Sequence, residues 1–228
     1  MSDPVRIGVV AEGPTDFIVI LALAQEILGD REFVPVQIQP PESDFANSQG
    51  PLGGGWPGVF SWCQIQGSGG ADACIDILAN LNVLVIHVDA DIARERDLAH
   101  LSLTRPCPPA SDTVDRVRDH LLDKLGLREP PPRLVFCIPA QATEAWVFAC
   151  LHPDEVDFHQ PFECRPKPES LLVAKGPYRL ARKKGSKVDK DVGRYRDAAG
   201  DISAGWDQAC GRLAEAERFR REFLQACP

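Results

Sequence analysis

The chain contains no Cys-x-x-Cys pair, although eight of its 228 residues are cysteine. Structural zinc sites usually take ligands from such pairs, so the sequence gives little support for a zinc-stabilised fold. No apolar run approaches the roughly 20 residues that a membrane-spanning helix needs, and no secretory signal precedes the first apolar segment. We therefore expect a cytoplasmic protein without membrane contacts, whose cysteines are reduced and include core residues such as Cys137 and Cys150.

A phosphate-binding loop of the form Gly-x-x-x-x-Gly-Lys-Ser/Thr is also absent. This absence argues against energy-coupled work by the chain alone, and any such work would need an ATPase partner chain. An excess of basic residues is lacking too, because 33 acidic residues and 25 basic ones give a formal net charge of -8. Binding of nucleic acid would therefore depend on a local basic patch.

Apolar strand patterns alternate with helical patterns and predict an α/β fold. Residues 83–88 (VLVIHV) give the strongest strand pattern, and His87 within it is expected to be a core residue. The alternation favours a mostly parallel sheet with helices on both faces, in which ligands bind beyond the carboxyl ends of the strands. The predicted strands are residues 5–11, 33–38, 83–88 and 134–138, and the predicted helices are residues 17–28, 71–81, 111–125, 143–151 and 204–226.

Two segments depart from this alternation. Residues 40–70 are rich in glycine and proline and predict a long loop. Residues 165–196 carry eleven basic residues against three acidic ones. We therefore expect an α/β domain over residues 1–151, followed over residues 152–228 by a basic segment and a C-terminal helix packed on that domain.

Acidic residues follow two of the predicted strands. Glu12 ends the first strand and Asp16 lies one turn into the next helix, whereas Asp89 and Asp91 follow strand 83–88. Alternate residues of an extended chain share a face, so Asp89 and Asp91 can point to one place. Clustered carboxylates repel one another unless a cation neutralises them, and their oxygens are the ligands that Mg²⁺ prefers. Each motif alone could be a helix cap or turn, but together they predict a divalent metal site.

The order of these motifs resembles that of Toprim domains, in which one strand ends in Glu-Gly-x-x-Asp and a later strand ends in Asp-x-Asp. The form VAEGPTD at residues 10–16 is most similar to overcoming-lysogenization-defect (OLD) nucleases and small bacterial Toprim-like proteins, over about residues 5–151. The resemblance implies a Toprim-like, Rossmann-like fold that cuts phosphodiesters with one or two Mg²⁺ or Mn²⁺ ions. The implied metal ligands are Glu12, Asp16, Asp89 and Asp91, of which Glu12, Asp89 and Asp91 are also the implied catalytic residues.

Further candidates come from the rest of the chain. Glu144 follows the next strand and resembles an acidic position in the small relatives, where it would complete a second metal site. An ordinary acid in the first turn of a helix is an equal alternative. In the basic segment, Lys184 is a candidate to stabilise transition-state charge. Arg182, Lys183, Lys184 and Lys187 are candidates to bind a nucleic-acid backbone, and a solvated surface helix is the alternative.

Three functions remain open at this stage. The first is a metal-dependent nuclease, with a possible partner subunit in a phage-defence system. The second is a non-catalytic binding or regulatory subunit of such a system. The third is a haloacid-dehalogenase-like phosphatase with Asp89 as nucleophile, although that motif normally lies on the first strand. DNA or RNA preference stays open, and so does assembly into a homo-oligomer.

Overall fold

The computed structural model describes residues 3–41, 51–69, 76–157, 161–185 and 187–227. Its strands are β1 (Val5–Val10), β2 (Phe33–Gln39), β3 (Val83–His87), β4 (Leu134–Cys137), β5 (Ala181–Lys184) and β6 (Lys187–Lys190). Its α-helices are α1 (Pro14–Leu28), α2 (Gly55–Ser68), α3 (Ser111–Leu125), α4 (Thr143–Leu151), α5 (Val192–Cys210) and α6 (Ala214–Ala226). Among these residues, no helix has both the length and the apolar character needed to cross a bilayer.

A four-stranded parallel sheet forms the centre of the fold, in the order β2-β1-β3-β4. Successive residues of a strand point to opposite faces, so each strand contributes to two apolar layers. In β3, Val83 and Val85 pack with α1, α4, α5 and α6, whereas Leu84 and Ile86 pack with α2 and α3. The predicted α/β class, with a parallel sheet between helices, is confirmed. Burial on both faces explains why β3 is apolar throughout.

The strand order creates a crevice at the carboxyl ends of β1 and β3. Helix α1 follows β1 over one face, whereas α3, the next α-helix after β3, lies over the other face. Connections that leave to opposite sides of neighbouring strands open such a crevice, where ligands of open α/β sheets bind. Val10 aligns with Ile86 in the β1–β3 register, so Glu12 and Asp89 leave adjacent strands side by side.

Two segments have a different secondary structure from the one that the sequence predicts. The predicted loop 40–70 contains α2, so that prediction is wrong for residues 55–68, and residues 42–50 and 70 lie outside the described chain. Glycine and proline are typical of turns, but burial of Val59, Phe60 and Trp62 overrides this local preference. The predicted helix 204–226 is two helices, α5 and α6, that separate near Gly211. Of the predicted helix 71–81, residues 76–79 are helical and residues 71–75 lie outside the described chain.

A disulfide joins Cys107 to Cys164. The expectation of reduced thiols is therefore wrong for this pair. The bond ties the segment that follows β3 to the short helical turn Phe162–Cys164, which precedes the basic hairpin β5–β6. The remaining cysteines of the described chain are buried thiols, as expected for Cys137 and Cys150; they are Cys63, Cys137, Cys150, Cys210 and Cys227.

Close contact between α4 and α5 holds the C-terminal helices on the sheet. Gly205 of α5 faces the α4 backbone, because a Cβ atom at this position would lie 2.4 Å from the Cys150 carbonyl oxygen. Nearby, the ring centroids of Trp146 and Trp206 are 5.4 Å apart. Gly200 of the same helix has open space at its Cβ position. The two glycines therefore have different structural roles.

We expect Gly205→Ala and Gly200→Ala to change stability in opposite directions. Gly205→Ala should lower the free energy of unfolding by about 1–3 kcal/mol, because the added methyl group meets backbone that has to move. Gly200→Ala should raise it by about 0.5–1 kcal/mol, because alanine favours the helix. Urea denaturation of both variants checks this. Equal effects at the two positions would contradict the proposed helix contact.

Candidate functional site

The structure brings the two acidic motifs together in the crevice between β1 and β3. Oε1 of Glu12 accepts a hydrogen bond of 2.7 Å from the backbone N–H of Asp89. Asp16 lies in the first turn of α1 and is buried. Its Oδ1 has no hydrogen-bond partner within the described chain. Carboxyl groups from both motifs therefore share one site, and one of their oxygens is buried without a donor.

Hydrogen bonds from α4 and β3 fix the carboxylate of Asp89. Its Oδ1 accepts a bond of 2.9 Å from the Thr143 backbone N–H and one of 3.0 Å from the Thr143 hydroxyl group. His87 Nε2 lies 3.3 Å from the same oxygen and 2.8 Å from Thr143 Oγ1. Three groups therefore hold one oxygen of Asp89, which sets the orientation of the whole carboxylate.

His87 and Asp89 act as a buried ion pair. Burial alone would lower the pKa of His87, but the hydrogen bond to Asp89 and the charge of Asp16 outweigh it and raise the pKa to about 9. Burial likewise opposes ionisation of Asp89, yet the hydrogen bond and charge of His87 hold the Asp89 pKa below its usual range. Asp89 is therefore ionised at neutral pH.

Two further carboxyls of the crevice, those of Glu12 and Asp91, bind protons more tightly than usual. Burial and the nearby charge of Asp89 raise the pKa of Glu12 to about 8. Asp91 is exposed as a residue, but partial enclosure of its carboxyl and the charges of Asp89 and Glu169 raise its pKa to about 7. At neutral pH, Glu12 is therefore mostly protonated and Asp91 is about half protonated. A cation that binds here would displace these protons.

A lysine from the basic hairpin enters the same site. Nζ of Lys190 lies 2.5 Å from Oε1 of Glu144, which also accepts a hydrogen bond of 3.1 Å from the Tyr195 hydroxyl group. Burial raises the pKa of Glu144, and the charge of Lys190 opposes that rise. Burial would lower the pKa of Lys190, but the charges of Glu144, Asp16 and Asp89 raise it well above its usual range. Lys190 is therefore a permanent cation in the site.

The basic residues predicted from the sequence lie elsewhere on the hairpin. Arg182, Lys183, Lys184 and Lys187 are all exposed. Lys184 pairs with Lys187 beside the turn, three residues from the pair of Ala181 and Lys190. At the usual rise per residue of a strand, Lys184 lies about 10 Å along the hairpin from Lys190. The structure thus places Lys190, and not Lys184, next to the acidic residues.

The donor set of the crevice suits a hard divalent cation. Mg²⁺ prefers carboxylate oxygens as ligands, and the crevice offers those of Glu12, Asp16, Asp89 and Asp91. Oδ1 of Asp16 has no hydrogen-bond partner in the described chain and is therefore available to bind a metal ion. Within the described ranges, no group of three or more His, Cys, Asp or Glu side chains is already arranged to hold a metal ion. Side-chain rotation would therefore have to accompany binding. Glu144 fits least well, because Lys190 already neutralises it.

Three residues of the site were not predicted from the sequence as functional, namely His87, Thr143 and Lys190. A signal for His87 was present, since it lies two residues before Asp89 in an extended segment and so faces the same side. No comparable signal marks Lys190, which is one of eleven cations in residues 165–196. Only the register of the hairpin brings this lysine to the acidic residues.

Comparison with known proteins does not identify the site. No protein-family model matches the chain, and no curated protein or solved structure is significantly similar to it. The function is therefore inferred from the residues of the site alone.

We expect the metal-free protein to lose stability as the pH rises from 5 to 8. The pKa of Glu12 is 4.5 in an ordinary environment and about 8 here, so in this window the folded chain keeps a proton that the unfolded chain has lost. The free energy of unfolding must then fall as pH rises. Glu12→Gln removes the titrating group and should reduce this fall by at least about 1 kcal/mol.

Thermal unfolding in the presence of a chelator, at pH 5 and pH 8, measures this effect. The difference between wild type and Glu12→Gln should amount to about 2–4 °C for a chain of this size. Glu129→Gln, at an exposed position after α3, is the matched control and should behave as wild type. Equal pH dependence of the wild type and Glu12→Gln would show that Glu12 is not in a crowded acidic site.

Proposed function

We propose that this chain is a metal-dependent nuclease with a Toprim-like, Rossmann-like fold, which hydrolyses phosphodiester bonds of nucleic acid. The proposal depends mainly on one contact, the hydrogen bond between the Glu12 carboxylate and the Asp89 backbone. It joins an acidic residue after one strand to an Asp-x-Asp pair after the adjacent strand. The acidic residues lie at the carboxyl ends of adjacent parallel strands whose connections leave to opposite sides. Ligands of open α/β sheets bind at such positions, which supports the same interpretation.

The residues of the crevice have separate tasks in this proposal. Glu12, Asp16, Asp89 and Asp91 would hold Mg²⁺ or Mn²⁺. The ion, once bound, would polarise the scissile phosphoryl group and lower the pKa of a water molecule. His87 and Thr143 orient Asp89, so that this ligand needs little reorganisation. Protons that leave Glu12 and Asp91 would be released as the site forms.

The hairpin β5–β6 supplies the positive charge that a nucleic-acid backbone requires. Its base reaches the acidic site through Lys190, and its exposed cations continue away from that site toward the turn. Arg182 pairs with Asp189 at 3.6 Å and with Asp191 at 3.9 Å. Ion pairs of a largely exposed side chain at such distances contribute little, so most of the positive charge of the hairpin stays available. A phosphate backbone lying along the hairpin would therefore be led toward the carboxyl ends of the strands.

We expect Asp89→Asn to lower kcat at least about 100-fold, because a metal ion contributes several kcal/mol to charge stabilisation. Purified protein is incubated with Mg²⁺ or Mn²⁺ and with single- and double-stranded DNA and RNA. Asp97→Asn, an exposed carboxylate after the same strand, is the control and should retain activity. Cleavage by Asp89→Asn at the wild-type rate would contradict the proposal.

The same assay distinguishes the other functions. A haloacid-dehalogenase-like phosphatase would release phosphate from small phosphomonoesters and form a trappable phosphoryl adduct on Asp89. A binding or regulatory subunit would bind nucleic acid or an ATPase partner chain without cutting. Either result, with no cleavage by wild type under any metal condition, would replace the nuclease proposal.

We expect the exposed lysines of the hairpin to affect binding and not the chemical step. Replacement of Lys183, Lys184 and Lys187 by alanine should raise KM and leave kcat within about threefold, because phosphate contacts bind substrate and transition state alike. For duplex DNA, the slope of log affinity against log salt concentration should fall by about 0.9 for each lost contact. Arg128→Ala, in the loop before β4, is the control. An unchanged salt slope would exclude the hairpin as the binding surface.

A further inference from the structure

The ammonium group of Lys190 contacts Glu144, the acid that a second divalent cation would need as a ligand. Phosphodiesterases with two ions place them about 3.5–4 Å apart and share carboxylates between them. In this chain the acid available for a second ion is Glu144, for which the sequence leaves a second metal site and an ordinary helix acid as equal alternatives. We propose that Lys190 replaces the second divalent cation, so that the site holds one metal ion. This inference rests on the proposed function, because it concerns the same site.

The contacts of Glu144 are the first support for the inference. Its Oε1 accepts from both the Lys190 ammonium at 2.5 Å and the Tyr195 hydroxyl group at 3.1 Å. The residue is 1% exposed, so water does not compete for these positions. A metal ion could bind this oxygen only by expelling Lys190 from a buried carboxylate. Oε1 of Glu144 therefore binds the lysine and is not available to an ion.

The backbone around Lys190 shows that the lysine is built into the fold. Lys190 pairs with the buried residue Ala181 at the base of the hairpin. The next residue, Asp191, donates its backbone N–H to Leu180 and caps α5 by accepting from the N–H of Arg194. The pairing of Lys190 and the contacts of the next residue together fix the Cα position from which the ammonium group extends into the site.

The third support is that Lys190 interacts electrostatically with further carboxylates of the site. The charges of Asp16 and Asp89 act on Lys190 in addition to that of Glu144. The lysine therefore adds positive charge to the same group of carboxyls that would hold the ion. A second divalent cation beside this fixed ammonium would be repelled in a partly buried site, where like charges interact strongly. The carboxyls left for binding are Glu12, Asp16, Asp89 and Asp91, which suffice for one ion.

The number of bound ions tests the inference without an activity assay. The full chain is titrated with Mn²⁺ at pH 8, and free Mn²⁺ is followed by electron paramagnetic resonance. We expect one Mn²⁺ per chain in wild type and in Glu144→Gln, with dissociation constants within about threefold of each other. Two ions in wild type, or loss of the ion in Glu144→Gln, would overturn the inference while leaving the nuclease proposal intact. Absence of any bound ion would overturn both.

Variants at Lys190 test whether its ammonium group takes the place of a second metal ion. Lys190→Met removes the charge at similar length and should allow a second Mn²⁺ to bind, whereas Lys190→Arg should keep one. Lys187→Met, an exposed residue of the same strand, is the matched control and should also keep one. Circular dichroism confirms that each variant is folded. A single ion in folded Lys190→Met would show that the lysine does not occupy a cation position. If Lys190→Met does not fold, the counts for wild type, Glu144→Gln and Lys190→Arg decide the question.

Discussion

Carboxyl groups that crowd into a partly buried crevice set the main physical constraint on this protein. Five of them meet beyond the ends of the strands: Glu12, Asp16, Asp89, Asp91 and Glu144. Charges of one sign in such a place repel strongly, and each also loses its hydration. The fold tolerates them because protons, hydrogen bonds or cations act on most of them, although Oδ1 of Asp16 has no hydrogen-bond partner in the described chain. Most of the surrounding architecture can be understood as a source of that compensation.

Each part of the chain supplies a different kind of compensation. Strand β3 provides the charge of His87, and the first turn of α4 provides the two hydrogen bonds of Thr143. The hairpin provides Lys190, and α5 provides Tyr195. These elements pack around the same apolar layers of the sheet, so the precision of the core determines where the polar groups lie. Stability and chemistry therefore depend on one set of contacts.

Sequence reasoning was effective wherever a local pattern determines the outcome. The apolar run of β3 and the acidic residues after it predicted both the strand and the rim on which Asp89 and Asp91 lie. Prediction from the sequence fails where distant contacts decide the secondary structure, as in α2. The glycines and proline of this helix are typical of a turn, but its apolar side chains are buried on the sheet. Lys190 belongs to the same class, because only hairpin register distinguishes it from neighbouring lysines. The disulfide between Cys107 and Cys164 likewise depends on proximity across the fold.

The position of Lys190 in the chain has a consequence for biosynthesis. Translation produces Glu12, Asp89 and Glu144 well before it produces Lys190 and Tyr195. A nascent chain that stops short of β6 would hold Glu144 with neither of its partners, and burial of that lone acid would be unfavourable. The strands can pair early, but the acidic crevice reaches its final charge only after residue 195 has left the ribosome. Completion of the site thus requires residues 190 and 195, which the ribosome adds after all four strands of the parallel sheet.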